Sequence, residues 1–537
     1  MRTAVGRLAI ALVGIVGQAA CNGRRAEQNV AVIEDANAVG DGNGLRPSAT
    51  AGVAIPKVAP ACAAGAGDVD VVVKSKVGPN GGAIRPFGSK LRSMNVDDLR
   101  PDDYMPSLNA EFVAYLKALK PGMLRWPAGY DSQTYQFDAN ASWAPTTKMA
   151  ARRTLAPNFA DQFLALCRAV GAEPYIGINI LNGTADNAAA LIKYLNVDKK
   201  AGVAWVHIGN EPDVEVTDTA TQTATYAKQF LAFRQAMLAV DANLKFVGAE
   251  LVTGARVLGI ANQPNWLAPI LEGTQSAPMD AIAWHYYPKD SSQTLAASSA
   301  TPSPEHLLLE TASDWPPAGL DFAAQLFPKL RQARDQLAPK AELWVDEFAE
   351  DSGKANGAGL ADRAVAALWT ADALGRFAEQ GADAVFRFIF KTGEDHGYAL
   401  LDPNNGLRPD YYAMWLYANA FGDQLVSAAS NNQAHVAAHA AVRQSDGSLR
   451  LMLVNKTTSV QKVAVSLPDF AASAAGRYQL SAKAYLDTSM ALNGGALTAA
   501  SVAKGEAAVA IEGTADACAQ TVLTLPPVSV TVMAYAP

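Results

Sequence analysis

Short apolar runs alternate with helical patterns over most of this chain, from about residue 84 to about residue 420. Eight of these runs have the length and composition of strands, and helical patterns lie between them. This alternation is typical of β/α units around a parallel sheet, and eight units predict a closed (β/α)8 barrel, an α/β fold. The candidate strands are Arg85 to Leu91, Gly122 to Trp126, Pro174 to Ile180, Trp205 to Gly209, Lys245 to Ala249, Ala281 to His285, Glu342 to Val345 and Ala384 to Phe390.

The pattern changes after residue 422, where period-two segments follow one another with Asp-Gly and Asn-Gly turn pairs between them. These segments predict a C-terminal antiparallel β-sandwich. The early run Val69 to Lys74 precedes the barrel and has no helix after it, so we expect it to add a strand to the sandwich. The other predicted sandwich strands are Val436 to Arg443, Leu449 to Val454, Val460 to Leu467, Tyr478 to Leu486, Ala507 to Ile511, Thr521 to Leu525 and Val528 to Met533.

The first 21 residues have the pattern of an export signal. Arg2 and Arg7 precede an apolar stretch that is too short to span a bilayer as a mature helix, and small residues lead to Cys21. The Ala-Ala-Cys sequence resembles the processing site of bacterial lipoproteins, which predicts a lipid anchor through Cys21. Simple secretion is the alternative, because Gln18 stands where an aliphatic residue is usual. Both interpretations predict an exported protein, located in the periplasm, at the cell surface or outside the cell.

Residues 22–67 contain Gly, Ala, Asn and Pro without sustained periodicity, which predicts a flexible tether. Because an exported protein meets an oxidising compartment, we expect a disulfide between Cys62 and Cys518 and a buried free thiol at Cys167. The predicted organisation is a signal (1–21), a tether (22–67), a strand joining the sandwich (68–83), the barrel (84–422) and the sandwich (423–537).

The composition argues against a nucleic-acid partner. The formal net charge is −7, and no Lys/Arg cluster suggests the basic face that phosphates require. The cysteines show no metal-ligand spacing, so we expect neither a metal nor an organic cofactor. The function must therefore reside in a site on the folded protein.

Two glutamates end strand-like runs of the predicted barrel. Glu211 follows the fourth candidate strand and Glu347 follows the seventh. The C-terminal ends of barrel strands form the rim where (β/α)8 enzymes do their chemistry, so these carboxyl groups should face each other across the mouth. Two carboxyl groups about 5 Å apart can cleave a glycosidic bond with retention of configuration, one as nucleophile and one as general acid and then base. The alternative is that each glutamate only closes a loop.

Three motifs at strand ends resemble those of the retaining glycoside hydrolases of clan A. The motifs are Gly209-Asn210-Glu211-Pro212 on strand four, Trp284-His285-Tyr286-Tyr287 on strand six and Trp344-Val345-Asp346-Glu347 on strand seven. The resemblance implies that Glu211 is the acid/base, that Glu347 is the nucleophile and that Asn210 donates to the sugar 2-hydroxyl. The Gly-Asn-Glu-Pro-Asp and His-Tyr-Tyr sequences are most similar to the heparanase and β-glucuronidase branch, whereas Asp-Glu-Phe is nearer the arabinofuranosidase and xylosidase branches.

Further residues near this rim are candidates for binding substrate. The resemblance implies that Arg125 hydrogen-bonds the nucleophile and keeps it ionised, with an ion pair of the barrel core as the alternative. We expect His285 and one of Tyr286 or Tyr287 beside Glu347, because a buried carboxylate needs donors to keep its pKa low. The remaining candidates are Asn179 and, in the second loop, Tyr135, Phe137 and Trp143, which either stack on sugars or only pack the loop.

Strand eight departs from the clan pattern, in which a tryptophan often forms the floor of the sugar subsite. This chain has Phe390-Lys391 there, and the Lys391 cation could pair with the carboxylate of a uronic acid or simply be solvated. We therefore expect a retaining hydrolase of a β-linked glycoside in an oligo- or polysaccharide, with a glucuronide as one candidate. The alternatives are an α-L-arabinofuranosidase or β-xylosidase on the same barrel, and a non-catalytic surface protein that binds carbohydrate.

Overall fold

The computed structural model describes residues 67–96, 103, 107–143, 154–213, 219–252, 265–288, 304–309, 311, 326–350, 362–392, 398–503 and 520–537. The predicted export signal, the tether up to residue 66, and the Cys62–Cys518 disulfide lie outside these residues and stay predictions. Cys167 is a buried free thiol. Among the described helices, none has both the length and the apolar composition needed to cross a bilayer.

The described residues form twenty strands and ten α-helices. The strands are β1 (Val69–Lys74), β2 (Arg85–Pro86), β3 (Ser93–Asn95), β4 (Met123–Trp126), β5 (Gln136–Phe137), β6 (Thr154–Leu155), β7 (Glu173–Ile178), β8 (Trp205–Ile208), β9 (Lys245–Leu251), β10 (Ala281–Tyr286), β11 (Glu342–Phe348), β12 (Ala384–Arg387), β13 (Gln424–Ser430), β14 (Val436–Val442), β15 (Leu449–Asn455), β16 (Gln461–Ser466), β17 (Ala474–Ser481), β18 (Ala491–Leu492), β19 (Gln520–Leu525) and β20 (Ser529–Ala536). The helices are α1 (Ala110–Ala118), α2 (Pro157–Val170), α3 (Ala185–Ile192), α4 (Thr219–Leu238), α5 (Leu267–Gly273), α6 (Pro304–Leu309), α7 (Phe327–Leu337), α8 (Ala364–Gln380), α9 (Pro409–Asn419) and α10 (Ala499–Ala503).

Eight parallel strands close into a barrel in the order β3, β4, β7, β8, β9, β10, β11, β12, which confirms the predicted (β/α)8 architecture. The first candidate strand, Arg85 to Leu91, is wrong. The first barrel strand is β3, whereas β2 pairs antiparallel with β13 of the sandwich. Pro86 has no N–H for a sheet ladder and Gly88 weakens a strand, so this run is poorly suited to a central position.

Side chains inside the barrel change from apolar at the N-terminal ends of the strands to charged at the C-terminal ends. Because residues two apart on a strand share a face, Arg125, His207, His285 and Asp346 continue the inward faces of their strands. All four are fully buried. The apolar cluster that precedes them consists of Met123, Tyr175, Trp205, Val247, Ala281, Ala283, Trp344, Ala384 and Phe386. The charged end of the barrel is therefore the predicted catalytic rim.

Two β-bulges bring further acidic groups to this rim. The register between β10 and β11 shifts at Asp346, and the register between β9 and β10 shifts at Glu250. A bulge interrupts the two-residue alternation of a strand and re-aims its side chains. Asp346 and Glu347 can therefore both face the barrel interior although they are adjacent in sequence.

The sandwich is one path of strands in the order β18, β17, β20, β15, β14, β13, β1, β16, β19. Strand β1 lies between β13, to which it is antiparallel, and β16, to which it is parallel. Side chains from both halves of the path, such as Val71, Leu451 and Val465, form a shared apolar core. Gly447 and Gly494, in the two turn pairs, have φ angles of 68° and 82°, which glycine adopts without strain. The candidate strand Ala507 to Ile511 lies outside the described residues.

A buried ion cluster connects helix α8 with the sandwich. The two nitrogens of His439 on β14 lie 2.9 Å from Asp372 Oδ1 and 2.7 Å from Glu379 Oε1, both on α8. Lys456 pairs with Asp372 as well, and Arg376 lies 3.2 Å from it. Burial alone would lower the pKa of His439, but Glu379 and Asp372 raise it. His439 is therefore an imidazolium between two carboxylates.

We expect this imidazolium to stabilise the fold in a pH-dependent way. A folded pKa above the unfolded value of about 6.5 gives a contribution that is complete below that pH and is lost as the pH rises through the folded pKa. The Tm difference between wild type and His439→Gln, measured by calorimetry, should be larger at about pH 6 than at about pH 9. Equal differences at the two pH values would mean that folding does not raise the pKa of His439.

The segment that follows β10, residues 289–320, is described only at 304–309 and 311. There it contacts the ion cluster. Thr311 Oγ1 donates to Asp372 Oδ2 at 2.5 Å, and Lys456 Nζ donates to the Leu308 carbonyl at 3.1 Å. The sequence does not reveal this placement, because the contacts join residues about 60 to 150 positions apart.

Candidate active site

Glu347, near the end of β11, accepts a hydrogen bond on each carboxylate oxygen. Arg125 Nη1 donates to Oε1 at 2.5 Å, and Tyr287 Oη donates to Oε2 at 2.6 Å. Burial alone would raise the pKa of this carboxyl, but the charges of His285 and Arg125 and the hydrogen bond from Tyr287 lower it below its usual value. The protein therefore holds Glu347 ionised, as a nucleophile must be.

Glu211 follows β8 and adopts a left-handed backbone conformation with φ 44°. Its N–H donates to the Glu250 carbonyl at 2.9 Å, and its Oε1 lies 2.8 Å from His285 Nδ1. Its side chain is 25% exposed, against 4% for Glu347. Glu211 is therefore the more accessible of the two glutamates to a leaving group and to water.

His285 lies between the two glutamates. Its Nδ1 is 2.8 Å from Glu211 Oε1 and 3.4 Å from Glu347 Oε2. Burial alone would lower the pKa of His285, but Glu347 and Glu211 raise it to about 10, so the ring is an imidazolium. One carboxylate oxygen of each glutamate and a His285 nitrogen all lie within 4.8 Å of one another.

Arg125, on β4, is completely buried, and its two Nη atoms donate to four protein groups. Nη1 contacts Glu347 and, at 3.0 Å, Asn95 Oδ1, while Nη2 donates to Glu250 Oε2 at 2.6 Å and to Asn210 Oδ1 at 2.8 Å. The expected hydrogen bond to the predicted nucleophile is present. Because Asn210 accepts through Oδ1, its Nδ2 is the end of the amide that faces away from Arg125.

The tandem tyrosines face opposite ways. Tyr287 donates to Glu347, whereas Tyr286 stacks on Trp369 of α8 with ring centroids 6.4 Å apart. Alternation along β10 explains the difference, because Tyr287 shares a face with His285 and Tyr286 does not. Of the two candidates, Tyr287 is the one beside Glu347.

Asn179 and Tyr135 serve loop structure in this arrangement. Asn179 Nδ2 donates to the Tyr135 carbonyl at 2.9 Å, and its Oδ1 accepts from the Asn182 N–H at 2.8 Å, so it connects the loops after β4 and β7. The Tyr135 side chain is buried, and Trp143 stacks on Phe159 of α2 at 4.7 Å. The second loop thus uses these aromatic residues for packing, which is the alternative to sugar stacking.

Lys391 is paired with protein groups, an arrangement that differs from both alternatives given above, a contact with a uronic acid and a solvated cation. Its Nζ lies 2.9 Å from Asp103 Oδ1 and 2.6 Å from Asn405 Oδ1, and its side chain is 5% exposed. A sugar carboxylate would have to displace Asp103. The pairing could not be foreseen because Asp103 is distant in sequence.

The aromatic residue beside Glu347 on strand eight is Phe388 rather than Phe390. Strand β12 ends at Arg387, earlier than predicted, and the partly buried Phe388 meets Tyr287 edge-on with centroids 6.2 Å apart. A Cβ added to Gly129, which has φ 55°, would lie 3.3 Å from the Phe388 ring and 3.7 Å from Glu347 Oε1. A glycine at this position therefore keeps the space beside Glu347 open.

Three residues close to the charged rim were not predicted from the sequence. They are Glu250, Tyr175 and Asn95. Glu250 contacts Arg125, and Tyr175 Oη donates to Glu250 Oε1 at 2.9 Å. Asn95 Nδ2 donates to the Asp346 carbonyl at 2.9 Å. A signal for Glu250 exists, because it is an acidic residue near the end of an apolar strand, as Glu211 and Glu347 are.

Two groups of described residues have atoms close enough to hold a metal ion. They are Glu211, His285 and Glu347, and Glu250, His285 and Asp346. A cation in either group would compete with the Arg125 guanidinium and with the protonated His285 ring. The positive charge that carboxylates need here is thus already supplied by protein groups.

No protein-family model matches this sequence. Alpha-L-arabinofuranosidase C of Emericella nidulans is 30% identical over 131 residues, which are 23% of this chain and 26% of that protein. An alpha-L-arabinofuranosidase from Thermotoga maritima, solved with arabinose, has a TM-score of 0.63 and 16% identity, covering 88% of this chain and 100% of that one. CelM2, a bifunctional glucanase-xylanase from a metagenome library, has a TM-score of 0.61 and 19% identity, covering 87% of this chain and 99% of that one.

These similarities establish the fold. A barrel with an antiparallel sheet domain is also the fold of solved glycoside hydrolases of families 51 and 44. The curated relative matches along only about a quarter of its length. None of the proteins compared above is described as a glucuronidase or a heparanase.

Proposed function

We propose that the protein is a retaining glycoside hydrolase with Glu347 as nucleophile and Glu211 as acid/base. The observation that carries this proposal is the approach of the two carboxylates, whose oxygens lie within 4.8 Å of each other. Retaining enzymes place these groups about 5–5.5 Å apart, whereas inverting enzymes leave about 6.5–9.5 Å for a water molecule.

The reaction would proceed in two displacements. Glu347 attacks the anomeric carbon while Glu211 gives its proton to the departing oxygen, so that a bond to Glu347 forms as the glycosidic bond breaks. Glu211 then takes a proton from water, which attacks the same carbon and releases Glu347. Arg125, His285 and Tyr287 would stabilise the carboxylate of Glu347 before attack and after release.

We infer that the sugar in the active site rests near Phe388 and that Asn210 Nδ2 donates to its 2-hydroxyl. The hydrogen bond from Arg125 to Asn210 Oδ1 supports this role, because it orients the amide. A neutral sugar suits the site better than a uronic acid, since Lys391 is paired with Asp103. An unpaired buried carboxylate on the ligand would carry a large desolvation cost.

An α-L-arabinofuranoside is the substrate we propose first. The partial sequence match and the Thermotoga maritima structure are both named arabinofuranosidases, which supports this choice. The test is a panel of 4-nitrophenyl glycosides containing α-L-arabinofuranoside, β-D-xyloside, β-D-glucoside and β-D-glucuronide. We expect the highest kcat/KM on the arabinofuranoside. A preference for the glucuronide would restore the alternative based on Lys391, and no turnover of any glycoside or polysaccharide would leave a carbohydrate-binding protein.

We also propose that the protein is exported and anchored by a lipid on Cys21. The sequence around Cys21 is the support for this proposal. Labelling of growing cells with a fatty-acid analogue should mark the wild type and not Cys21→Ser. Unlabelled wild type recovered from the medium would favour simple secretion.

The Tyr287→Phe variant should lose activity and shift the acidic limb of the pH profile. A hydrogen bond to a charged group contributes about 1.5–3 kcal/mol, so kcat/KM should fall roughly ten- to hundredfold. Tyr287 lowers the pKa of Glu347, so its loss raises that pKa and moves the acidic limb to higher pH. Measuring kcat/KM against pH tests both effects.

Tyr286→Phe is the matched control, because it removes a hydroxyl from the adjacent tyrosine, whose ring stacks on Trp369. This variant should keep the wild-type acidic limb. Identical profiles for the two variants would mean that the contact between Tyr287 and Glu347 does not affect catalysis.

A further inference from the structure

Glu250 is a completely buried residue on β9. Its side chain contacts Arg125, the partner of Glu347, and its backbone contacts Glu211. Its Oε2 accepts from Arg125 Nη2 at 2.6 Å, and its Oε1 accepts from Tyr175 Oη at 2.9 Å. Its carbonyl oxygen accepts from the N–H of Glu211 at 2.9 Å. The side chain of Glu250 is thus linked to the nucleophile through Arg125, and its backbone is linked directly to the acid/base.

The guanidinium of Arg125 is held between two carboxylates. Nη1 donates to Glu347 at 2.5 Å, and Nη2 donates to Glu250 at 2.6 Å. A guanidinium is planar and rigid, so holding one Nη atom also orients the other. The position of Glu250 therefore determines how Arg125 meets Glu347.

The backbone link joins two residues in an unusual conformation. Glu250 has φ 49° and Glu211 has φ 44°, a region that residues other than glycine seldom adopt. Such conformations cost free energy and persist where surrounding contacts impose them. The hydrogen bond between these two residues is one such contact, and Glu250 itself is fixed at a β-bulge.

Removing the charge of Glu250 would affect every ionisable group around it. The groups facing it from the surrounding elements are Arg125, Tyr175, His207, His285, Asp346 and Tyr226, and Glu347 lies against the other Nη atom of Arg125. Loss of a negative charge makes the local potential more positive and lowers each of their pKa values. Burial and Glu250 raise the pKa of Asp346, so Asp346 would ionise more readily and offset part of this change.

We propose that Glu250 is a positioning residue for both glutamates, with its carboxylate holding Arg125 against Glu347 and its carbonyl holding the backbone of Glu211. This inference rests on the proposed hydrolase function. It adds a third acidic residue that acts without touching the substrate.

The test compares Glu250→Gln, which keeps the size of the side chain and removes its charge, with Glu250→Asp, which keeps the charge. In Glu250→Gln, kcat should fall roughly tenfold or more with a smaller change in KM, and both limbs of the pH profile should move to lower pH. In Glu250→Asp, the limbs should return towards their wild-type positions. Tyr175→Phe removes a donor from the carboxylate and should move the limbs in the opposite direction, to higher pH.

A measurement without substrate separates this proposal from the proposed function. NMR of protein labelled selectively at histidine can follow the titration of His285, and its pKa should be lower in Glu250→Gln than in wild type. Unchanged limbs and an unchanged His285 titration in a folded Glu250→Gln would overturn the role of Glu250. If Glu250→Gln does not fold, the absence of any upward shift in Tyr175→Phe would overturn it. An inactive wild type with the expected His285 shift would overturn only the hydrolase function.

Discussion

Replacing Glu347 with glutamine should lower kcat by at least about three orders of magnitude, equivalent to roughly 4 kcal/mol in the activation barrier. Glutamine keeps the volume of the side chain but has no anionic oxygen to attack the anomeric carbon. The carboxylate of Glu347 is also the common partner of Arg125 and Tyr287, so its charge supports the surrounding site. Steady-state and single-turnover rates on the preferred 4-nitrophenyl glycoside measure the loss.

Glu342→Gln provides the matched control for this variant. Glu342 begins the same strand, β11, and its carboxylate accepts from Trp344 Nε1 at 2.7 Å, away from the charged rim. Its substitution should leave kcat near the wild-type value. Near-normal activity in a folded Glu347→Gln would remove the nucleophile assignment.

Replacing Glu211 with alanine should give a loss that depends on the leaving group. General acid catalysis contributes about 10²–10⁴-fold, so glycosides with poor leaving groups should lose that much while activated aryl glycosides lose far less in the first step. Hydrolysis of the covalent intermediate also slows, because Glu211 no longer activates water. Rates across a series of leaving groups measure the effect.

Azide should restore part of the lost rate in Glu211→Ala, because it attacks the anomeric carbon without needing a base. The partly exposed side chain of Glu211 suggests that its removal leaves room for such an anion. The product should be a glycosyl azide with the configuration of the substrate. An equal loss on all leaving groups, together with no effect of azide, would argue against the acid/base assignment.

Much of the barrel and part of the site can be predicted from local sequence patterns. The length of the apolar runs and their alternation with helical patterns identify seven of the eight barrel strands, because buried parallel strands are short apolar runs. The same alternation places Ala281, Ala283, His285 and Tyr287 on one face, so it could have distinguished Tyr287 from Tyr286. Arg125 was a candidate because the resemblance to clan A implies an arginine at the end of this strand.

Other features depend on contacts that a local pattern does not contain. The bulges at Asp346 and Glu250 arise from the register between neighbouring strands, and they decide which acidic side chains face the interior. The pairing of Lys391 with Asp103 joins segments nearly 300 residues apart. The end of β12 at Arg387, which places Phe388 beside Glu347, is likewise set by pairing with β3 and β11.

The most direct test of the account is to trap the covalent intermediate on Glu347. An activated 2-deoxy-2-fluoro glycoside of the preferred sugar should form this intermediate and hydrolyse slowly, because fluorine destabilises the oxocarbenium-like transition state. Mass spectrometry of peptides from the inactivated protein should show one sugar attached at Glu347, and none in Glu347→Gln. A sugar attached at Glu211, or turnover of the substrate with inversion and no covalent adduct, would contradict the two-glutamate retaining mechanism.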